Sequence, residues 1–449
     1  MKHARLICAV AALFVIFMGL VYGQAVTGSL VGTITDSSGG TVANAKVTIT
    51  EVNTGISRTM QTNDSGNYTF ATLEPGVYRV SIEQTGFRTA VKDGVNVLLN
   101  TTIRADLSLQ PGAVSETITV TAEASILQTD RADTGRKIEA VQIANMPLGY
   151  GRNFQGLLNL VPGTSRSFQP HSEFFNSQGA LTTQVNGVSR EGNNVQFEGV
   201  DNNHRTGLLT VLIPPIEALQ TVDVSTSNYE AELGRAGGAV TNIMLKSGTN
   251  ELHGAVYAFH SNSAMGARAT FQPRKPVTTY NSYGFNIGGP IRKGRTFFFG
   301  DFLQTRDRRG DGFIVSVPTA PLRAGDFSSL ASRAVIYDPA TGNRDTGVGR
   351  TPFAGNQVPD ARISPIAKKV LAMVPLPNLG SDILNNYASS TTRNNDSNSF
   401  DIKVDHQQSD KDRFSVRYSL QRPVVTDPGR FGMAGGGGKG FAGTGVNRT

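Results

Sequence analysis

The chain has 449 residues and a formal net charge of +7, with 17% charged and 38% apolar residues. Its 50 Gly, 23 Phe and 11 Tyr, with no Trp, suit strands and turns rather than long surface helices, so the fold class expected is mainly β. The basic excess marks no nucleic-acid surface. Its longest clusters, Arg306-Asp307-Arg308-Arg309 and Arg292-Lys293-Gly294-Arg295, are short and lie beside predicted strands, as loop and strand-end charges do.

Lys2 and Arg5 precede an apolar run over residues 6–21, and Gly23 and Ala25 offer small residues for cleavage. This predicts an export signal over residues 1–24. A membrane-anchoring helix is the alternative, since the run falls only slightly short of the ~20 residues of a span. The immediate passage into polar, alternating sequence favours cleavage. The one cysteine, Cys8, lies inside this segment, so the mature chain has no disulfide and no thiolate metal site. No later stretch reaches the apolar length of a membrane helix. A membrane role after export therefore requires a β-barrel, the other fold that satisfies every backbone group in lipid.

From residue 26 to residue 110, short alternating stretches recur between turn residues. Ala43, Ala45, Val47 and Ile49 share one side of a strand. Tyr68 and Phe70 share a face in the next clear one, and Pro75-Gly76 is expected to turn the chain, Gly accepting φ > 0. The run from Ser65 through Val77-Tyr78-Arg79-Val80-Ser81-Ile82 to Gly86-Phe87 resembles the carboxypeptidase regulatory-like family, which implies a transthyretin-like β-sandwich. Peptidase chemistry does not come with it. A zinc carboxypeptidase needs His-x-x-Glu, and none of the six His has Glu three residues later. Asn63-Asp64-Ser65-Gly66-Asn67 lacks the later Glu of a Ca²⁺ loop and reads as a β-turn.

Residues 111–134 form a linker. Within it, Glu116-Thr117-Ile118-Thr119-Val120-Thr121-Ala122 is an extended, β-branched heptad that a sheet edge can capture by strand addition. It resembles the TonB box of outer-membrane receptors, which implies TonB of the inner-membrane energising complex as partner. It can also be the last strand of the sandwich or a plain linker strand. Composition does not separate these readings. Position, ahead of a plug-like segment, favours coupling.

Residues 135–250 mix helix and strand signals. Phe154, Leu157, Leu158 and Val161 give one apolar helical face, Asn153 is the expected N-cap, and Pro162-Gly163 the stop. Met146-Pro147-Leu148 through Phe154 and on to Val161-Pro162-Gly163 resembles the plug signature of Oar-like TonB-dependent receptors, with Gly149 and Tyr150 departing from it. Residues 194–203 match the plug hairpin of that family, Glu198 standing where Asp is usual. Residues 214–259 match it nearly residue for residue, through Glu232-Leu233-Gly234-Arg235-Ala236-Gly237-Gly238 and Lys246-Ser247-Gly248-Thr249-Asn250. The resemblance implies an α+β plug. Glu232, Arg235, Gly237 and Gly238 are the candidate plug–wall contacts, the glycines allowing close backbone approach. An ordinary turn with a surface ion pair is the plainer alternative.

Residues 251–449 read as strict alternation. Ala255, Tyr257 and Phe259 share a face, as do Tyr283, Phe285 and Ile287. Phe297, Phe299 and Leu303 are in phase, with Asp301 interrupting and Phe298 and Phe302 opposite. Phe400, Ile402 and Val404 alternate with Asp401, Lys403 and Asp405, and Phe414, Val416, Tyr418 and Leu420 with polar residues. Apolar-out, charged-in strands suit a lipid-facing wall around a wet lumen, and a sandwich with one wet face gives the same pattern. Residues 285–302 resemble the opening of Oar-like barrels, which implies the start of an outer-membrane antiparallel β-barrel, with a long extracellular loop over residues 319–395. About five strands are legible against the ~22 of a plugged transporter, so the sequence is expected to be a fragment or a truncated product.

Gly435-Gly436-Gly437-Gly438-Lys439-Gly440 fails as a P-loop, because Met433 takes the first Gly position and Gly440 the Mg²⁺-binding hydroxyl position. No catalytic constellation, cofactor or metal site is legible. The expectation is a TonB-dependent receptor or transporter in the outer membrane, in contact with its lipid, for a bulky ligand such as an oligosaccharide, peptide or chelated metal. The alternative is a surface-structural or adhesive protein of the same membrane.

Overall fold

The computed structural model describes residues 27–114, 117–119, 134–146, 148, 152–165, 180, 181, 183–205, 208–229, 231–268, 270, 275, 277–410, 412–427, 429, 431 and 445–448. The export signal and the Gly435–Gly440 run lie outside them.

The first unit is a two-sheet sandwich. Strands β1 (Gly28–Asp36), β2 (Lys46–Glu51), β3 (Ser57–Gln61), β4 (Asn67–Leu73), β5 (Gly76–Glu83), β6 (Thr89–Val97), β7 (Thr102–Arg104), β8 (Leu107–Leu109) and β9 (Thr117–Thr119) follow in chain order. One sheet runs β4-β1-β7, with β8 also on β1, and the other β3-β2-β5-β6-β9. Alternation builds the core: Leu30, Ile34, Val47, Ile49, Val80 and Ile82 are fully buried between the sheets. Tyr68 lies flat in this core and donates its hydroxyl to the Ala105 carbonyl at 2.6 Å. Gly32 makes room for it, since a Cβ there would sit 2.2 Å from the Ala105 oxygen and 2.6 Å from the Tyr68 ring. The Asn63 side chain accepts from the Ser65 and Asn67 amides at 3.1 and 2.8 Å, so its oxygen closes a turn. One expectation is corrected: Gly76 begins β5 without a positive φ, and the positive φ nearby (55°) belongs to Thr72, inside β4.

The second unit has a five-stranded sheet of order β10-β15-β16-β13-β14. Its strands are β10 (Thr134–Glu139), β13 (Asn194–Phe197), β14 (Val200–Asp201), β15 (Leu219–Ser227) and β16 (Val240–Leu245), with a two-stranded ribbon of β11 (Thr164–Ser165) and β12 (Gln184–Val185) beside it. Helix α1 (Ala140–Asn145) follows β10. The apolar helical face predicted at Phe154, Leu157, Leu158 and Val161 is buried, but the segment Phe154–Leu160 is a 3₁₀ helix. Asn153 caps it by accepting from the Gln155 amide at 2.9 Å.

The third unit is a six-stranded antiparallel meander in sequence order: β17 (His253–Asn262), β18 (Thr278–Arg292), β19 (Thr296–Val315), β20 (Tyr387–Gln407), β21 (Arg413–Asp427) and β22 (Gly445–Arg448). The sixth strand goes beyond the five legible in the sequence. The sheet is not closed; β17 and β22 are its edges. Because β20 begins at Tyr387, residues 387–395 are strand rather than loop. The β19–β20 connection folds on itself through Arg362, which pairs with Asp338, and through Asn356, which caps two carbonyls.

Register separates the two faces. Outward, Val256, Phe285, Phe302, Phe400 and Leu420 form one row across β17–β21. Ile287, Gly300, Ile402 and Tyr418 form the next, and Gly289, Phe298, Val404 and Val416 the third. With Phe414 the apolar band runs ~20 Å along the strands at ~3.4 Å per residue, the scale of a bilayer band of ~25 Å. Two phases differ from the sequence reading. Ala255, Tyr257 and Phe259 share a face, but it is the inner one, and Val256 is 89% exposed on the outside. Phe297, Phe299 and Asp301 also point inward, all buried, so Asp301 does not break an outer stripe. Aromatic side chains appear on both faces because the inner face is covered by the second unit, a context that alternation alone does not reveal.

Candidate plug seat and coupling segment

The second unit sits against the inner face of the meander as a plug against a wall. Phe299 of β19 belongs to the same buried apolar cluster as Phe154, Leu157 and Ile243 of the plug. Polar contacts accompany it, and three groups of them stand out.

The first is built on the β13–β14 hairpin. Glu198 and Gly199 occupy its turn with φ of 51° and 79°, a pair of left-handed residues that normally selects Asn-Gly or Asp-Gly. Glu at such a position is strained. Its length explains its presence: the carboxylate reaches Lys403 of β20 at 2.6 Å and Arg417 of β21 at 3.0 Å. The Arg417 guanidinium also lies 3.6 Å from the Phe197 ring centroid. The three side chains retain 15%, 4% and 17% exposure, so this is a buried ion triad.

The second lies at Glu217, in the turn before β15. Arg152 donates twice to its carboxylate, at 2.9 and 2.6 Å, and stacks 3.8 Å over the Phe259 ring of the wall. The Glu217 carbonyl accepts from Asn286 of β18 at 3.2 Å and from the Lys246 ammonium at 2.7 Å. Burial holds the Lys246 pKa below the ordinary lysine range, against the pull of Glu217 and Asp301.

The third lies where the plug passes into the wall. Ser247 donates to Asp405 at 2.5 Å, Asp405 accepts from Arg413 at 2.9 Å, and Arg413 pairs with Glu74 of the sandwich. Gly248 supplies the close backbone approach; a Cβ there would fall 2.3 Å from the Phe298 carbonyl oxygen and 2.4 Å from that of Gly289. The sandwich docks here too. Asn250 donates to the Asn53 and Thr54 carbonyls and accepts from the Gly294 amide of the β18–β19 turn at 2.7 Å.

The residues predicted for plug–wall contact are not among these three groups. Glu232 is in the short 3₁₀ turn Ala231–Leu233, Arg235 and Gly237 are exposed, and Gly238 is buried. The amides of Gly237 and Gly238 donate to the Gly192 carbonyl at 2.8 and 2.9 Å, inside the plug. Of the coupling candidates, Thr117, Ile118 and Thr119 form β9, paired in parallel with β6. Glu116, Val120, Thr121 and Ala122 lie outside the described residues. Sequence reasoning missed Glu198, Arg152 and Glu217 as seat residues. A Glu-Gly hairpin facing lumen charges at Lys403 and Arg417 was the signal for the first. Among the described residues no group of three or more His, Cys, Asp or Glu is placed to hold a metal ion.

Two family models match the chain: the carboxypeptidase regulatory-like domain over residues 29–110 and the outer membrane beta barrel domain over residues 244–449. The TonB-dependent transporter Oar of Myxococcus xanthus is 28% identical over 313 residues, covering 66% of this chain and 28% of the relative. The chain thus spans under a third of that relative's length. Among solved structures, a mutant of the ferric enterobactin receptor PfeA of Pseudomonas aeruginosa aligns at 14% identity and TM-score 0.37, over 67% of this chain and 34% of that one. The outer membrane transporter YddB of Escherichia coli aligns at 12% identity and TM-score 0.34, over 65% and 39%.

Proposed function

We propose that this homologue of the Oar TonB-dependent transporter, an outer-membrane protein with a carboxypeptidase regulatory-like domain, supplies the sandwich, the plug and the first wall strands of a TonB-coupled receptor for a bulky ligand. The observation that carries the reading is the seat: a plug joined to the wall by ion pairs and hydrogen bonds at Glu198, Glu217 and Ser247. Such contacts can be exchanged for water as the plug moves, whereas a dry apolar interface would have to be exposed. Force enters through residues 116–122, ahead of β10. The homology is to a transporter, not to an enzyme. Oligosaccharides, peptides and chelated metals are the ligand classes to test.

The experiment is a ligand-binding survey on outer membranes carrying the protein, followed by uptake of the bound compound in cells with and without TonB. Accumulation that requires TonB supports the proposal. Binding without TonB-dependent accumulation leaves the adhesive reading.

A further inference from the structure

The chain stays bound to the sandwich well beyond β8. The Arg88 amide donates to the Gln110 carbonyl at 2.9 Å, the Gly112 amide to Gly86 at 3.1 Å, and the Thr89 hydroxyl to Val114 at 2.7 Å. β9 then adds to β6 in parallel, with Thr89 opposite Thr117, Ala90 opposite Ile118 and Val91 opposite Thr119. Ile118 is half-buried opposite Ala90, which is part of the sandwich core. Three residues of the coupling heptad are therefore the edge strand of a folded sheet.

The same strand β6, with the turn after it, also touches the plug. Asn96 donates to Glu139 of β10 at 3.2 Å, and Asn100 to Asp223 of β15 at 3.0 Å. β10 is the edge of the plug sheet, paired antiparallel with β15, with an irregular register between Thr134 and Gly135. It is the first plug element that tension on the heptad would reach, and an antiparallel edge pulled from its end opens one rung at a time. While β9 stays on β6, tension falls on the sandwich. The sandwich passes it to the wall through Glu74–Arg413 and Asn250, and meets β10 across the Asn96–Glu139 side-chain hydrogen bond rather than along the backbone that leads into β10.

We propose that the sandwich is a brake on coupling: β6 stores residues 117–119 in the resting state, and a partner strand must displace them before tension reaches the plug. The proposal rests on the coupling reading of the heptad. Three residues of parallel ladder hold little net free energy, since each bond replaces one to water. Exchange for a partner strand, an addition of the same kind, is therefore reversible.

The test uses the whole protein in outer membranes, where Cys8 is the only native cysteine. Ala90→Cys with Ile118→Cys places two thiols at register partners, within reach of a disulfide. The disulfide is expected to form, to abolish cross-linking to TonB and TonB-dependent uptake, and on reduction to restore both to the level of the Ile118→Cys chain; neither single-cysteine chain should respond to redox state. Thr89→Val, which removes the Val114 strap, should raise TonB cross-linking roughly two- to ten-fold, the range of one net hydrogen bond. That gain cannot come from misfolding. Failure of the disulfide to form in a chain that reaches the membrane would overturn the storage, and so would an oxidised chain that couples like the reduced one. A chain that locks yet couples in neither redox state, with both single-cysteine chains equally silent, would overturn the brake together with the coupling reading beneath it.

Discussion

Replacing Glu198 by Gln tests the plug seat at its most buried contact. The substitution keeps shape and one acceptor but removes the anion between Lys403 and Arg417, which lie at 2.6 and 3.0 Å. Removing one partner of a buried ion pair costs ~3–5 kcal/mol, because the other charge stays buried. Arg417 keeps its stacking on Phe197 and its bond to Ser419 at 2.8 Å, so the loss here should be ~2–4 kcal/mol. The left-handed backbone strain is unchanged, since Gln tolerates φ > 0 no better than Glu. The assay is amide hydrogen exchange across the hairpin, where the Glu198 amide donates to Ile243 and the Asn202 amide to Val195. At a factor of ten per ~1.4 kcal/mol, exchange through local opening should quicken roughly 30- to 1,000-fold. Lys403→Met added to Glu198→Gln should recover part of the loss, with a coupling of ~0.5–3 kcal/mol in the double-mutant cycle. Exchange within about threefold of the parent in Glu198→Gln would refute the reasoning.

Other consequences follow from the faces and the turns. Ile402→Lys, in the middle outward row, should destabilise the membrane-inserted form by ~2–4 kcal/mol in a denaturant titration from lipid. Val256→Arg should also weaken insertion, whereas it would be harmless if Val256 lay on the inner face as the sequence alternation suggested. Gly32→Ala should cost about 1–3 kcal/mol in the sandwich's thermal transition, because its Cβ meets a backbone oxygen that cannot move aside. In the β19–β20 connection, the hydrogen bond from Arg362 holds the Asp338 carboxyl below its usual range, helped by the Ala340 amide. A depressed carboxylate pKa contributes stability above the unfolded value near ~3.9 and loses it as pH falls through the folded one. Pepsin resistance of this connection should therefore decline only below about pH 4, and Arg362→Gln should lessen that dependence, leaving the part due to the Ala340 amide.

Much of this architecture was legible because period-two patterning survives wherever one face is dry and the other wet. Tyr68, Phe70, Val80 and Ile82 declared the sandwich, and Phe400, Ile402 and Val404 declared the wall's outer face. The pattern failed at Phe297, Phe299, Tyr257 and Phe259. Their inner face is not uniformly wet: Phe299 fills a plug core, and Phe259 carries Arg152. No single strand contains that information, because the covering residues, such as Ile243 for Phe299 and Arg152 for Phe259, lie in other elements well outside the strand. The seat was hidden for the same reason. Gly237 and Gly238 looked suited to close approach and do make one, but to Gly192. Gly248 makes the approach to the wall, in a motif whose residues were legible but whose neighbours were not. β9 shows a different limit. Composition left the heptad open between a coupling segment and a last sandwich strand, and its backbone does pair as the latter. A strand in a sheet and a strand for a partner need the same residues.

The central claim is that this outer-membrane chain is pulled by TonB through the segment ahead of its plug. A photo-activatable side chain at Thr121, in cells with an energised inner membrane, tests it most directly. The account predicts an adduct with TonB that strengthens when ligand is bound and disappears in Ile118→Pro, with the amount of protein in the outer membrane unchanged. No adduct from the parent sequence, or one that Ile118→Pro leaves intact, would contradict it.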